Sequence, residues 1–241
     1  MTLMLTQSKR RYTMRDLQKI GGAAALIEAA TYLIGLGLFF TFLAPYYGSE
    51  DPDLGQFVAF LAANRLIVFA WHAIIFLING IFLVVLALAL HERLKAGSSA
   101  QVQIATAFGL IWAALVFAGG LIAINGLEVV ADLYGQDPAQ AAAVKLAIDS
   151  VEAGINNSDR LLGGLWVLLL SSAALRSGGL PRALSYLGVA LGAAALVSTF
   201  VPALKDAGAV FGLGMIVWWA WLGIAMLGSG AAALNQEMAR I

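Results

Sequence analysis

The stretch from Ala63 to Leu90, ANRLIVFAWHAIIFLINGIFLVVLALAL, carries no Lys, Arg, Asp or Glu after Arg65. A helix rises about 1.5 Å per residue and the hydrocarbon core of a bilayer is about 30 Å thick, so roughly 20 mostly apolar residues suffice to cross it. This run exceeds that length. Five further runs are read as spans: Ile20–Ala44, Val102–Asn125, Leu161–Leu175, Ala183–Val201 and Gly208–Leu234. The fourth in chain order is the shortest, and it gains length if its helix begins before Asn157. The pattern predicts an all-α, polytopic membrane protein with a six-helix transmembrane bundle over residues 20–234. A basic segment precedes the bundle at 1–19 and a short tail follows at 235–241.

Composition supports this reading. Hydrophobic residues make up 61% of the 241 and charged residues 12%, with mean hydropathy +0.87, whereas a soluble domain carries about 25% charged residues. An ordinary soluble enzyme is excluded. Fourteen basic and fourteen acidic residues cancel, which leaves no positive excess to neutralise a phosphate backbone, so no nucleic-acid partner is expected. With no cysteine, disulfides, thiolate nucleophiles and iron–sulfur clusters are excluded. No P-loop, dinucleotide-binding glycine pattern, nucleophile elbow or HExxH sequence occurs, and no catalytic residue or metal site is assigned.

Lys and Arg are retained in short cytoplasmic segments. Lys9, Arg10, Arg11, Arg15, Lys19, Arg93, Lys95, Arg176, Arg182 and Arg240 fall on one side, against Arg65, Lys145, Arg160 and Lys205 on the other. Ten against four places both termini in the cytoplasm. The basic start resembles the opening of a secretory signal, but the first apolar run is too long for one. Thr41-Phe42-Leu43-Ala44-Pro45 also lacks a small-x-small cleavage pattern, so the first span is expected to be retained.

The one sizeable extracytoplasmic segment is expected at about 126–160. Within it Asp137-Pro138 reads as an N-cap followed by proline in the first turn, which predicts one short amphipathic helix. Val144, Ile148, Val151 and Ile155 form its apolar stripe, on the outer rim of the bundle, and Lys145, Asp149, Glu152 and Asn156 occupy neighbouring polar positions. Gly188/Gly192 and Gly208/Gly212 mark places where helices approach closely in lipid.

The loop Leu175-Arg176-Ser177-Gly178-Gly179-Leu180-Pro181-Arg182-Ala183-Leu184-Ser185-Tyr186-Leu187-Gly188 joins two spans through a short basic turn. It resembles the corresponding loop of a bacterial family of small six-span membrane proteins known only as a domain of unknown function. Lys19-Ile20-Gly21-Gly22 opening the first span, and Leu88 to Lys95 closing the second, are similar too. The resemblance covers nearly the whole chain; it implies the fold and a bacterial inner membrane, and carries no site residues or cofactor with it.

Ionisable groups inside spans cost about 2.5–3.5 kcal/mol on insertion scales and are functional-site candidates by default. Glu28 shares a face with Gly21, Ala24, Ala25, Tyr32 and Gly35, which turns it toward the bundle interior. It reads as a proton-coupling or substrate-binding carboxyl, or as a protonated acid hydrogen-bonded to Asn79. Arg65, His72 and Asn79 fall seven apart and line one face of a straight helix. His72 beside Trp71 is a weak candidate to ligate a pigment or haem, and Trp218 and Trp221, mid-span, are weak candidates for stacking on an apolar cofactor, whose identity is unknown. At the outer surface Arg65, Asn125, Glu128, Asp132, Asp159 and Arg160 form a polar cluster, read chiefly as ion pairs that pin helix ends.

The leading functional expectation is a non-enzymatic integral membrane protein, an accessory or structural subunit that contacts the lipid bilayer and a membrane-protein partner. The alternatives are a small proton-coupled transporter or channel using Glu28, and a membrane-embedded enzyme acting on a lipid-like substrate.

Overall fold

A computed structural model describes the backbone of residues 2–47, 53–204 and 207–238, and the side chains of 16–46, 53–155, 157–201, 203–204 and 207–228. Lys9, Arg10, Arg11, Arg15, Asn156, Lys205 and Arg240 therefore lie outside the described side chains. Every regular element among the described residues is helical. Six helices are long and apolar enough to cross a membrane: Asp16–Tyr46, Arg65–Leu94, Ser99–Tyr134, Pro138–Ser177, Arg182–Phe200 and Ala207–Gly228. The expected all-α, six-span architecture is what the chain adopts.

Two features depart from expectation. The segment after Asp137 is no separate short helix. Asp137 does cap it, its carboxylate accepting from the amides of Ala139 and Gln140, both at 3.0 Å. The helix then runs unbroken for 40 residues from Pro138 to Ser177 and becomes the fourth span. Nothing in the sequence stops it earlier, because the first residue there to take a positive φ is Gly178, at 69°. Asn157 and Ser158 are weak helix formers, but the packing of Ile148 on Gly126 and of Ile155 on Gly119 holds the turns before them, and the packing of Trp112 on Gly163 holds the turn after them.

The second departure is a short apolar helix, Leu54–Ala63, between the first two spans. Asp53 accepts from the Gln56 amide at 3.1 Å while Gln56 Nε2 returns to the Asp53 carboxylate at 2.9 Å, a reciprocal cap of the kind that starts helices. Phe57, Val58 and Leu61 are buried, and Asn64 closes the helix by donating to the Phe60 carbonyl.

The helices form two compact units. One comprises residues 1–29, 82–112 and 160–241. In it the first span lies close against the second and sixth: a Cβ on Gly21 would sit 2.4 Å from Ala89 Cβ, and one on Gly223 would sit 2.8 Å from the Gly22 carbonyl oxygen. Gly164 and Gly192 bring the fourth and fifth spans to backbone contact, a Cβ at Gly192 lying 2.7 Å from the Gly164 oxygen. Such approach is how spans gain dispersion contact where no hydrophobic force separates helix from lipid. Four buried indoles fill the centre. Trp166 lies between Trp112 and Trp218, with ring centroids 5.7 and 5.8 Å away, and Trp219 stacks on Trp112 at 6.3 Å. At one end Gln101 Nε2 donates to Ser172 and to the Leu169 carbonyl, Arg176 donates to Gln101, and Arg93 donates to the Gly179 carbonyl.

The other unit comprises residues 30–81 and 113–159. Its core joins Leu43, Phe57, Val58, Leu61, Val68, Leu127, Val130 and Ala141, with Tyr46 stacked on Phe60 at 4.4 Å. The short helix thus supplies three of the core side chains. Its helices hold two π-helical segments, Phe39–Leu43 in the first span and Ala73–Ile78 in the second.

Gly192→Val forces side-chain atoms into the Gly164 backbone, whereas a Cβ at Gly212 meets nothing within 4 Å. Overpacking of this kind costs about 1–3 kcal/mol. Gly192→Val should melt several degrees below the parent in detergent, followed by size-exclusion of heated samples, and Gly212→Ala should melt with it. Equal melting of all three would refute the crossing.

Candidate functional site

Within the second unit the fourth helix turns one seam inward: Ala141, Lys145, Ile148, Glu152 and Ile155, at alternating spacings of four and three. This corrects the expected stripe. Val144 and Ile148 do pack on the core, but Val151 is 52% exposed while Lys145 is only 6% exposed. The sequence reading passed over this seam because it contains a lysine and a glutamate, which a rule of apolar residues inside assigns to the wet face.

Burial of the lysine is compensated on three sides. Its Nζ is ion-paired with Asp149, one helical turn on. It lies 4.7 Å from the centroid of the Phe57 ring, where the ring face attracts a cation. It also borders a cavity of about 10 Å³ lined by Leu61, Val68, His72, Ala123, Gly126, Leu127, Ile148 and Glu152 as well as Lys145. That is about the space one water needs, and His72, Lys145 and Glu152 give such a water polar neighbours.

His72 is 4% exposed, and its Nδ1 lies 2.8 Å from the Val68 carbonyl oxygen. A carbonyl only accepts, so Nδ1 carries the hydrogen and a neutral ring keeps its lone pair on Nε2. Trp71 and Phe76 flank the ring, with centroids at 4.8 and 6.0 Å. An imidazole, an ammonium and one carboxylate, Glu152, border the water-sized space, and Asp149 pairs with the ammonium; such a group can pass a proton between neighbours, or hold one. Lys145, Asp149 and Glu152 are read from the sequence only as polar positions on an amphipathic helix, although Lys145 and Glu152 belong to the inward seam. The signal that could have found them is their three-and-four spacing with Ala141, Ile148 and Ile155.

The other expected residues are placed as follows. Glu28 is fully buried and engaged within the chain. Asn79 is 1% exposed, but the π-helical turn Ala73–Ile78 lies between it and His72, so the face drawn for a straight helix does not describe this span. Arg65 bonds Asp132 at 2.9 Å and approaches Glu128 at 3.7 Å, all three well exposed. Asn125 instead donates to the Leu121 carbonyl of its own helix. Arg160 lies along Gly208. Trp71 Nε1 donates to the Gly35 carbonyl at 2.9 Å. Trp218 is buried and Trp221 is 39% exposed, so these two do not share a stacking surface. Among the described residues, no cluster of three or more His, Asp or Glu side chains is placed to hold a metal ion.

Six apolar spans with charge buried along one of them define a multi-pass helical membrane protein. More narrowly, the chain belongs to the DUF4386 family, a domain of unknown function, whose family model matches residues 20–230. No curated protein and no solved structure matches it.

Lys145→Met leaves the Asp149 carboxylate without its cation. Breaking a buried pair costs about 3–5 kcal/mol, and Asp149 keeps 34% of its side chain exposed, so a loss near the lower end is expected in reversible unfolding followed by circular dichroism. Lys145→Met combined with Asp149→Leu should recover most of it. A double variant no more stable than the single would refute the pairing.

Proposed function

We propose that this chain is a non-enzymatic protein of the bacterial inner membrane, both termini cytoplasmic, that moves protons as a small proton-coupled transporter or channel. The observation that carries the reading is the water-sized cavity bordered by the buried His72 and Lys145 and by Glu152, with Asp149 paired to the lysine. His72 lies within the second span, and an ionisable group there is a functional-site candidate by default, because a hydrophobic side chain of equal volume is the cheaper filling. Glu28, in the first span, is a further buried titratable group.

Purified protein in liposomes carrying a trapped pH dye tests this. An imposed pH gradient should collapse faster than in protein-free vesicles, and His72→Phe and Glu28→Gln should each slow the collapse at least tenfold. No flux above empty vesicles for protons, or flux unchanged in both variants, would refute it.

A second reading, an accessory subunit of a larger membrane complex, is supported by the first span. Its most apolar window is 28% buried, against 39–44% in the others, and Leu33, Ile34, Phe40 and Phe42 point outward. A partner helix on that face would survive mild detergent. Photo-crosslinking from position 33 in native membranes should then capture one defined protein, and labelling of lipid alone would refute it.

The orientation rests on the Lys and Arg asymmetry. Because the chain lacks cysteine, Gln140→Cys should react with an impermeant maleimide in intact cells and Lys95→Cys only after lysis. The opposite pattern would invert the topology.

A further inference from the structure

The second unit holds a separate groove of about 380 Å³, bordered by the first and second spans and by Asp159 of the fourth. Its volume lies within the range of small-molecule sites, about 300–1,000 Å³. We propose that it binds a lipophilic organic cation, an inference independent of proton movement because occupancy is read at equilibrium without flux.

Four of the eight lining residues are aromatic, Tyr32, Phe39, Trp71 and Phe76, and the one acidic side chain among the eight is Asp159. Aromatic faces and a carboxylate together select positive charge on an apolar body: each ring face attracts a cation, the more so when water is excluded. A neutral acyl chain gains nothing from the carboxylate, and an anion is repelled by it. Asp159 has an interaction within the chain, but a carboxylate offers about four acceptor sites and can serve a second partner.

Local backbone geometry supplies a second, independent pointer. Both π-helical segments of this unit reach the groove, through Phe39 in one and Ile75 and Phe76 in the other. Single π turns recur at functional sites, where the extra residue per turn re-aims side chains. Between them the spans touch closely: a Cβ on Gly35 would lie 2.4 Å from Ile75 Cγ2. The bond from Trp71 Nε1 to the Gly35 carbonyl fixes the indole, with Phe39 beside it at 6.3 Å. The wall is therefore ordered before a ligand arrives, which reduces the entropic cost of binding.

The probe is radiolabelled tetraphenylphosphonium, with tetraphenylborate as a competitor of similar shape and opposite charge, on the full chain in maltoside detergent. Saturable binding of one cation per chain is expected. Asp159→Asn and Phe39→Leu should each weaken it at least tenfold, Asp159→Glu should retain it, and tetraphenylborate should not displace it. Should Asp159→Asn fail to fold, the two-ion competition on the parent chain still decides. Displacement by tetraphenylborate as effective as by unlabelled cation would show an apolar groove for lipid chains and overturn the proposal. So would the absence of saturable binding, or unchanged binding in Asp159→Asn and Phe39→Leu.

Discussion

Hydrocarbon offers a backbone amide no partner, so each span must satisfy its own hydrogen bonds, and only helices can do so along one segment. The wide π turns at Phe39–Leu43 and Ala73–Ile78 obey the same rule, since they remain hydrogen-bonded helix with a longer step. Side chains can then be re-aimed without exposing backbone to lipid. Given continuous helices, the remaining freedom lies in how closely they approach. Glycine sets that distance at Gly21, Gly192 and Gly223, where a Cβ would meet another helix at under 3 Å.

The spans were legible because their signal is additive over some twenty residues and tolerates error at any one of them. The short helix Leu54–Ala63 was missed although its start is written plainly: Asp53-x-x-Gln56 followed by Phe57, Val58 and Leu61 at helical spacing. A search for spans is blind to a ten-residue helix. The 40-residue fourth helix was divided for a different reason. Asn157 and Ser158 look like a boundary in local propensity, but weak propensity ends a helix only where neither packing nor a chain-reversing glycine opposes or completes the choice, and the glycine comes at Gly178.

Much less of the site could be read. His72, Glu28 and Asn79 were singled out as polar residues in apolar company, and all three are buried. Lys145 and Glu152 stand in polar company, where a one-dimensional pattern cannot distinguish a wet face from a buried ionic one. What separates them is the identity of the neighbours in space: Phe57 from the short helix, His72 and Val68 from the second span, Gly126 from the third. Gly126 matters because a Cβ there would sit 2.9 Å from Ile148 Cδ1, so its lack of a side chain lets the fourth helix draw in far enough to bury Lys145. The cation is inside because a glycine on another helix makes room, a fact no local window contains.

Trp71 and His72 show how one span can serve two environments. Adjacent residues on a helix point about 100° apart, so Trp71 borders the aromatic groove while His72 borders the ionic cavity. The π segment begins at the next residue, Ala73. Ile75, four residues after Trp71, shares its face in any α-helix, and the wider turn lets Phe76, five residues on, line the same groove. The indole bond to the Gly35 carbonyl and the imidazole bond to the Val68 carbonyl hold the two rings. Phe76 also lines the groove and stacks on the His72 ring, so a ligand in the groove touches two residues, Trp71 and Phe76, that contact the imidazole of the cavity.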